Sequence, residues 1–328
     1  MVMPILLYLS DFWGSLKLPK NNPIEKTHNM FCRQLLGVQK QTSTQGVLLE
    51  LGLTPLVPFA KKVSVKNWNR ICNNNANEIV IESQENSCKE NLPWTSSVKG
   101  ILESNGLLQL YLDNQVTDKE TRNTIPVENY LYSRLIDQYH QSAFEEIRNP
   151  NSKMFTYSKF KTTIGREKYL STVKKEKHRI AMTKIRLSNH KLAIETGRHN
   201  KIDRENRICP LCTNGVENEE HFMMKCPAYS ELRTRYLPPP NAWLPDDIKL
   251  QQIFIRDDVD QTKIARFIHE ALSIRDQKQK SASLRMILRK NTIPLEQDRN
   301  LVVSRISIDD MKLKITRAYN STYTVIKK

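Results

Sequence analysis

Four metal-ligating side chains in one short run constrain this chain more than any other feature. Cys209, Cys212, His221 and Cys226 stand in CPLCTNGVENEEHFMMKC, a C-x2-C-x8-H-x4-C spacing. Two thiols three positions apart can grip one ion from a tight turn, and Pro210 and Gly215 suit that turn. A His and a Cys five positions apart can complete a tetrahedron from a short helix, which Pro227 then ends. Glu217, Glu219 and Glu220 lie at the start of that helix, where its dipole favours negative charge. A redox CxxC would follow a strand and lead into a helix, whereas a polar turn follows here. The spacing predicts a structural zinc site, closed by four protein ligands and so without a position for catalytic water. In small modules of this kind the bound ion contributes about 10–16 kcal/mol to folding.

The charge is concentrated just upstream. The formal net charge is +16 over 328 residues, and residues 159–208 hold fifteen Lys and Arg against five Asp and Glu. Residues 73–130 reverse the balance, with four against nine. A local surplus of this kind fits a polyanionic partner, RNA or DNA, better than a general solubility device. Lys174, Lys175, Lys177, Arg179, Lys184 and Arg186 are the expected phosphate contacts. Tyr157, Phe160 and Tyr169 are interleaved with the basic residues, as base-stacking side chains or as core. A Lys/Arg-rich helix can equally be a solvated face, and Lys174–Arg179 also passes as a nuclear-localisation patch.

Few glycines (9) and many Lys, Glu, Leu and Ile predict a mainly α chain. Residues 1–9 fit a buried strand or short helix. A helix is expected over 23–36 with Gly37 as its cap, and a second from Thr54-Pro55 to Asn73-Asn74-Asn75. Polar sequence to about residue 97, broken by Pro93, reads as a connection between domains. Further helices are expected over 98–113, 128–148, 172–189, 228–237 and 260–277, with Leu301-Val302-Val303 as a short strand in a weakly ordered tail. This divides the chain into helices over 1–97, a linker domain over 98–158, the basic segment with the zinc module over 159–250, and a C-terminal helix and tail over 251–328.

The three cysteines outside the cluster, Cys32, Cys72 and Cys88, have scattered spacing, which points to a reducing, intracellular setting in nucleus or cytoplasm. The opening MVMPILLYLSDFWG is too short to span a membrane and lacks the basic start of a signal peptide, and no later stretch reaches spanning length.

The run from Lys177 through HRIAMTKIRLSNHKLAIETGRHNKIDRENRICPLC to EEHFMMKCPAY resembles the C-terminal region of non-LTR (LINE-type, jockey-like) retrotransposon reverse transcriptases. There a Cys-Cys-His-Cys module follows a basic helical segment. The upstream stretches MPILLYLSDFWG and EKTHNMFCRQLLGVQKQTSTQGVLLELGLTPLVPFAKKVSVKNWNRI look like the thumb and connection that trail the polymerase palm. The resemblance covers about residues 1–277 and implies a helical thumb-like domain, a basic segment and a small CCHC module. It departs from the family at Leu9, where a glycine is usual, and in lacking the catalytic aspartate hairpin.

Asp246-Asp247, Asp257-Asp258 and Asp309-Asp310 follow no aromatic at the required spacing and read as surface or capping residues. Pro245-Asp246-Asp247-Ile248-Lys249 has the letters of a nuclease site, but its carboxylates are neighbours on one turn rather than on separate strands. No enzyme and no small-molecule substrate are therefore expected. The leading expectation is a zinc- and nucleic-acid-binding fragment of a reverse transcriptase without its palm. The alternatives are a zinc-stapled protein-interaction scaffold and a translated transposon remnant without selected function.

Overall fold

The computed structural model describes residues 3–19, 22–72, 77–113, 126–239, 243–256 and 258–291. Among them the chain is mainly helical, with no strand and only the isolated antiparallel bridges Leu51–Arg166 and Ile208–Val216. It falls into two compact units, residues 1–279 and 280–328; of the second, the described residues 280–291 are helical.

The N-terminal stretch resolves the choice between strand and helix in favour of helix, as α1 (Met3–Leu6) and α2 (Ser10–Trp13). α3 (Pro23–Leu36) starts on Pro23, whose missing N–H costs nothing in a first turn, after Asn22 accepts from the Glu25 N–H at 2.9 Å. It ends at Gly37, whose φ of 64° is the left-handed cap expected there. α4 (Thr44–Leu51) has no counterpart in the sequence reading, because VLLEL is buried almost all round and shows no amphipathic period. α5 (Leu56–Cys72) is the second expected helix; its expected stop at Asn73-Asn74-Asn75 lies outside the described residues.

The polar stretch before residue 97 is a correction. It forms α6 (Glu78–Lys89) and the start of α7 (Pro93–Ser104), with Pro93 opening a helix rather than breaking one. The helix expected over 98–113 is divided at Asn105-Gly106 (Gly106 φ 68°) between α7 and α8 (Leu108–Asp113). α9 (Val127–Arg148) follows, then α10 (Phe155–Phe160). The long basic helix is shorter than expected: α11 (Tyr169–Thr172) and α12 (Glu176–Arg186) are separated by extended backbone at Val173. α13 (Ala193–His199), α14 (Ser230–Tyr236), α15 (Asp246–Ile255) and α16 (Gln261–Asn291) complete the order. The proposed strand at 301–303 lies outside the described residues.

Two hydrophobic clusters hold the first unit. The larger draws Leu36 and Leu48 from α3 and α4, Ile147 from α9, Met182 and Ile185 from α12, and Phe267 and Ile268 from α16. Cys209, Phe222 and Cys226 belong to the same cluster, so the Cys/His run is packed into the main core rather than hung from it. The smaller cluster centres on Trp68 of α5, stacked on Tyr111 at 5.0 Å between centroids.

Candidate metal centre and basic face

A small hairpin presents the first two ligands. The Cys209 N–H donates to the Gly215 carbonyl at 3.0 Å, the Glu217 N–H to the Arg207 carbonyl at 2.9 Å, and the Thr213 N–H to the Cys209 carbonyl at 2.9 Å. Left-handed backbone at Thr213 (φ 55°) and Gly215 (φ 86°) folds the turn tightly enough to set Cys209 and Cys212 side by side. Asn218 then accepts from the His221 N–H at 2.7 Å and starts the second arm. From His221 to Lys225 that arm is a widened helical turn, closed by the Cys226 N–H on the His221 carbonyl at 2.8 Å. On an ordinary α-helix, residues five apart point about 140° from one another. The wider turn brings them back onto one side, as single π-type turns do at functional sites.

The four donor atoms lie within 4.8 Å of one another. Cys212 Sγ is 3.3 Å from His221 Nε2, and Cys209 Sγ is 3.9 Å from Cys226 Sγ. A tetrahedral ion with bonds of about 2.3 Å to sulfur and about 2.0 Å to nitrogen separates its ligand atoms by about 3.5–3.8 Å. These side chains are therefore close enough to hold a metal, while the sulfurs are too far apart for a disulfide of about 2.05 Å. Burial pushes the Cys209 thiol up, and pushes Cys226 up to about 12 with the neighbouring Cys209 adding to it. Burial also lowers His221, keeping the imidazole neutral as a ligand must be. A cation at the centre would reverse the cost of thiolate charge there.

The acids of the run do more than face a helix dipole. Glu217 is 1% exposed; it accepts from Arg275 Nε and Nη2, both at 2.7 Å, and from the Ala193 N–H at 2.6 Å. Its Oε1 lies 3.9 Å from Cys209 Sγ. Glu219 is buried too, accepting from Ser188 Oγ at 3.1 Å and paired with His190 Nε2 at 3.0 Å. Glu220 pairs with Lys225 at 2.6 Å. The sequence reading missed Arg275. Its signal was there: Ile264, Phe267, Ile268 and Ala271 form the buried stripe of α16, and Arg275 continues that stripe.

The six basic candidates divide. Lys174, Lys175 and Lys177 are exposed, Arg179 and Lys184 half-buried, and Arg186 1% exposed. Arg186 is withdrawn as a phosphate contact, because its guanidinium is spent inside the core. It bonds Glu50 at 2.6 and 3.2 Å and Glu167 at 2.7 Å, and lies within 5.8 Å of the ring centres of Tyr157, Phe160, Tyr169 and Phe254. The same network claims the aromatics. Tyr157 and Tyr169 donate to Glu50 at 2.9 and 2.7 Å, and with Phe160 they are buried core, closed to base stacking.

Asp246 and Asp247 open α15 and pair with Lys225, Lys249 and Lys159, while Asp258 pairs with Arg256. No other cluster of metal-ligating side chains stands among the described residues. No helix among them is long and apolar enough to cross a membrane. No family model, no curated protein and no solved structure matches the chain.

Proposed function

We infer that this chain is a zinc- and nucleic-acid-binding segment of the kind found at the C-terminal end of a retroelement reverse transcriptase, with thumb-side helices and a CCHC module. One observation carries the reading. A closed set of three thiols and one imidazole shares its hydrophobic cluster with α12, whose first turn and approach carry the exposed Lys174, Lys175 and Lys177. Three sulfurs and one nitrogen within 4.8 Å of one another favour zinc over harder cations, which prefer oxygen. Four protein ligands support a structural rather than a hydrolytic role. The ion would fix the hairpin against α16, and the lysines would then meet phosphates from a rigid base.

The test is binding of a single-stranded oligonucleotide by zinc-loaded protein across about 50–200 mM salt. Three phosphate contacts predict a slope of log K on log salt near −2. Reversing Lys174, Lys175 and Lys177 to Glu should remove most of that affinity. Binding that ignores salt, or survives the reversal, would overturn the nucleic-acid reading, and a folded wild-type protein that holds no zinc would overturn the metal reading. A protein-interaction scaffold is the second reading, favoured by the exposed Ile5, Tyr8, Phe12 and Leu35 of α1–α3. It expects the charge reversal to leave nucleic-acid behaviour unchanged.

A further inference from the structure

The basic segment and α16 enclose a groove of about 390 Å³ that neither element forms alone. Lys175, Lys177 and His178 line it from one side, and Arg266, His269 and Glu270 from the other. The two imidazoles face each other at 5.0 Å between ring centres. His178 is 5% exposed, and its Nδ1 has no hydrogen-bond partner. Glu270, the single acid among these groups, is engaged by Arg266 at 2.9 Å and by the Tyr236 hydroxyl at 3.2 Å. Lys175 and Lys177 have no ion-pair partner among the described residues.

Two imidazoles set together beside two exposed ammonium groups repel once charged. An anion of tetrahedral oxygens relieves that repulsion, accepting from the lysines and from the ring N–H groups that open on the groove. We propose that this groove binds a phosphate group, with His178, His269, Lys175 and Lys177 as its donors. As a subsite for a nucleic-acid backbone it rests on the function inferred above; as a site for phosphate itself it does not.

The groove should also sense pH. Burial lowers His178, and His269, Lys175, Lys177 and Arg266 lower it further. Burial and Lys177 lower His269, against a smaller opposing pull from Glu270. Both rings are thus neutral in the free protein at pH 7, and a bound anion favours their charged forms. The bound state holds more protons, so affinity rises as pH falls below about 6.5.

The test uses inorganic sulfate, whose charge is constant over about pH 5.5–7.5, and a single-stranded dodecamer, with the ring resonances of His178 and His269 followed by NMR. Sulfate should raise both ring pKa values, with about tenfold tighter binding at low pH for each unit of rise. The Lys175→Ala/Lys177→Ala and His269→Gln variants should lose the response while keeping the wild-type unfolding midpoint. Rings that titrate identically with and without sulfate would overturn the proposal. Sulfate binding without oligonucleotide binding would keep the groove and sink the nucleic-acid reading. Oligonucleotide binding that leaves both rings unmoved would do the reverse.

Discussion

Arg186 and Glu50, 136 positions apart in the chain, meet at 2.6 Å with side chains 1% and 0% exposed. Tyr157 and Tyr169 donate to the same carboxylate, and Thr183 lies 2.7 Å from the Tyr169 hydroxyl. A charge so placed is stable only while its partner is present, because water cannot replace the partner. We expect Arg186→Met to cost about 3–5 kcal/mol of unfolding free energy, and the Glu50→Gln/Arg186→Met double variant to recover part of it. Urea denaturation reads both. A loss under about 1 kcal/mol would mean that Arg186 reaches water, and would restore it to the phosphate contacts.

Arg275 should govern metal affinity without touching the metal. It holds Glu217 by two bonds, and Glu217 lies 3.9 Å from Cys209 Sγ. Arg275→Gln frees Glu217 to leave its place beside Cys209 and on the Ala193 N–H, and so loosens the hairpin that carries the first two ligands. A loss of about 10–100-fold in zinc affinity is expected, measured by competition with a chromophoric chelator. Unchanged affinity would show that the hairpin alone sets the site.

Glu195 is 5% exposed, and burial raises its carboxyl above the ordinary value of 4.5, against the opposing pull of Arg198 and His190. A carboxyl raised on folding binds more protons in the folded state, so its contribution to stability falls as pH rises through that range. Glu195→Gln removes this cost. The unfolding midpoint of the variant relative to wild type should therefore be higher at pH 7 than at pH 4. An equal difference at both pH values would show that burial of the charge is immaterial.

Two glycines should respond in opposite directions to alanine. Gly52 has φ 65°, and a Cβ there would meet the Arg166 backbone nitrogen at 2.3 Å, beside the Leu51–Arg166 bridge. Gly52→Ala should cost at least about 1–3 kcal/mol. Gly100 lies inside α7 with nothing within 4 Å of its added Cβ, so Gly100→Ala should stabilise by about 0.5–1 kcal/mol. Thermal unfolding of the pair checks both signs.

The helices that were legible in the sequence carry their own punctuation. α3 has Asn22, Pro23 and Gly37 at its ends, and α9 and α16 carry apolar residues at helical spacing. α4 was illegible because it is buried almost all round, and periodicity needs a wet face to contrast with. The start of α7 is not legible in the sequence, because proline opens a helix as readily as it ends one. The basic residues were visible as composition, but their direction was not. Thr183 and Arg186 lie on the same inward stripe as Met182 and Ile185, and only their partners on other elements made that stripe tolerable.

The sequence by itself brought Cys209, Cys212, His221 and Cys226 close enough to hold a metal, because the reach of a short hairpin and one helical turn is a local property. It also determined a mainly helical chain, since capping and three-to-four-residue periodicity act between near neighbours. Tertiary structure decided which charges face water and which are sealed inside. Glu217 finds Arg275 across 58 positions, Glu50 finds Arg186 across 136, and His178 of α12 meets His269 of α16. The physical reason is desolvation: a buried charge or imidazole is set by whatever group fills the space beside it, and that group comes from a distant part of the chain.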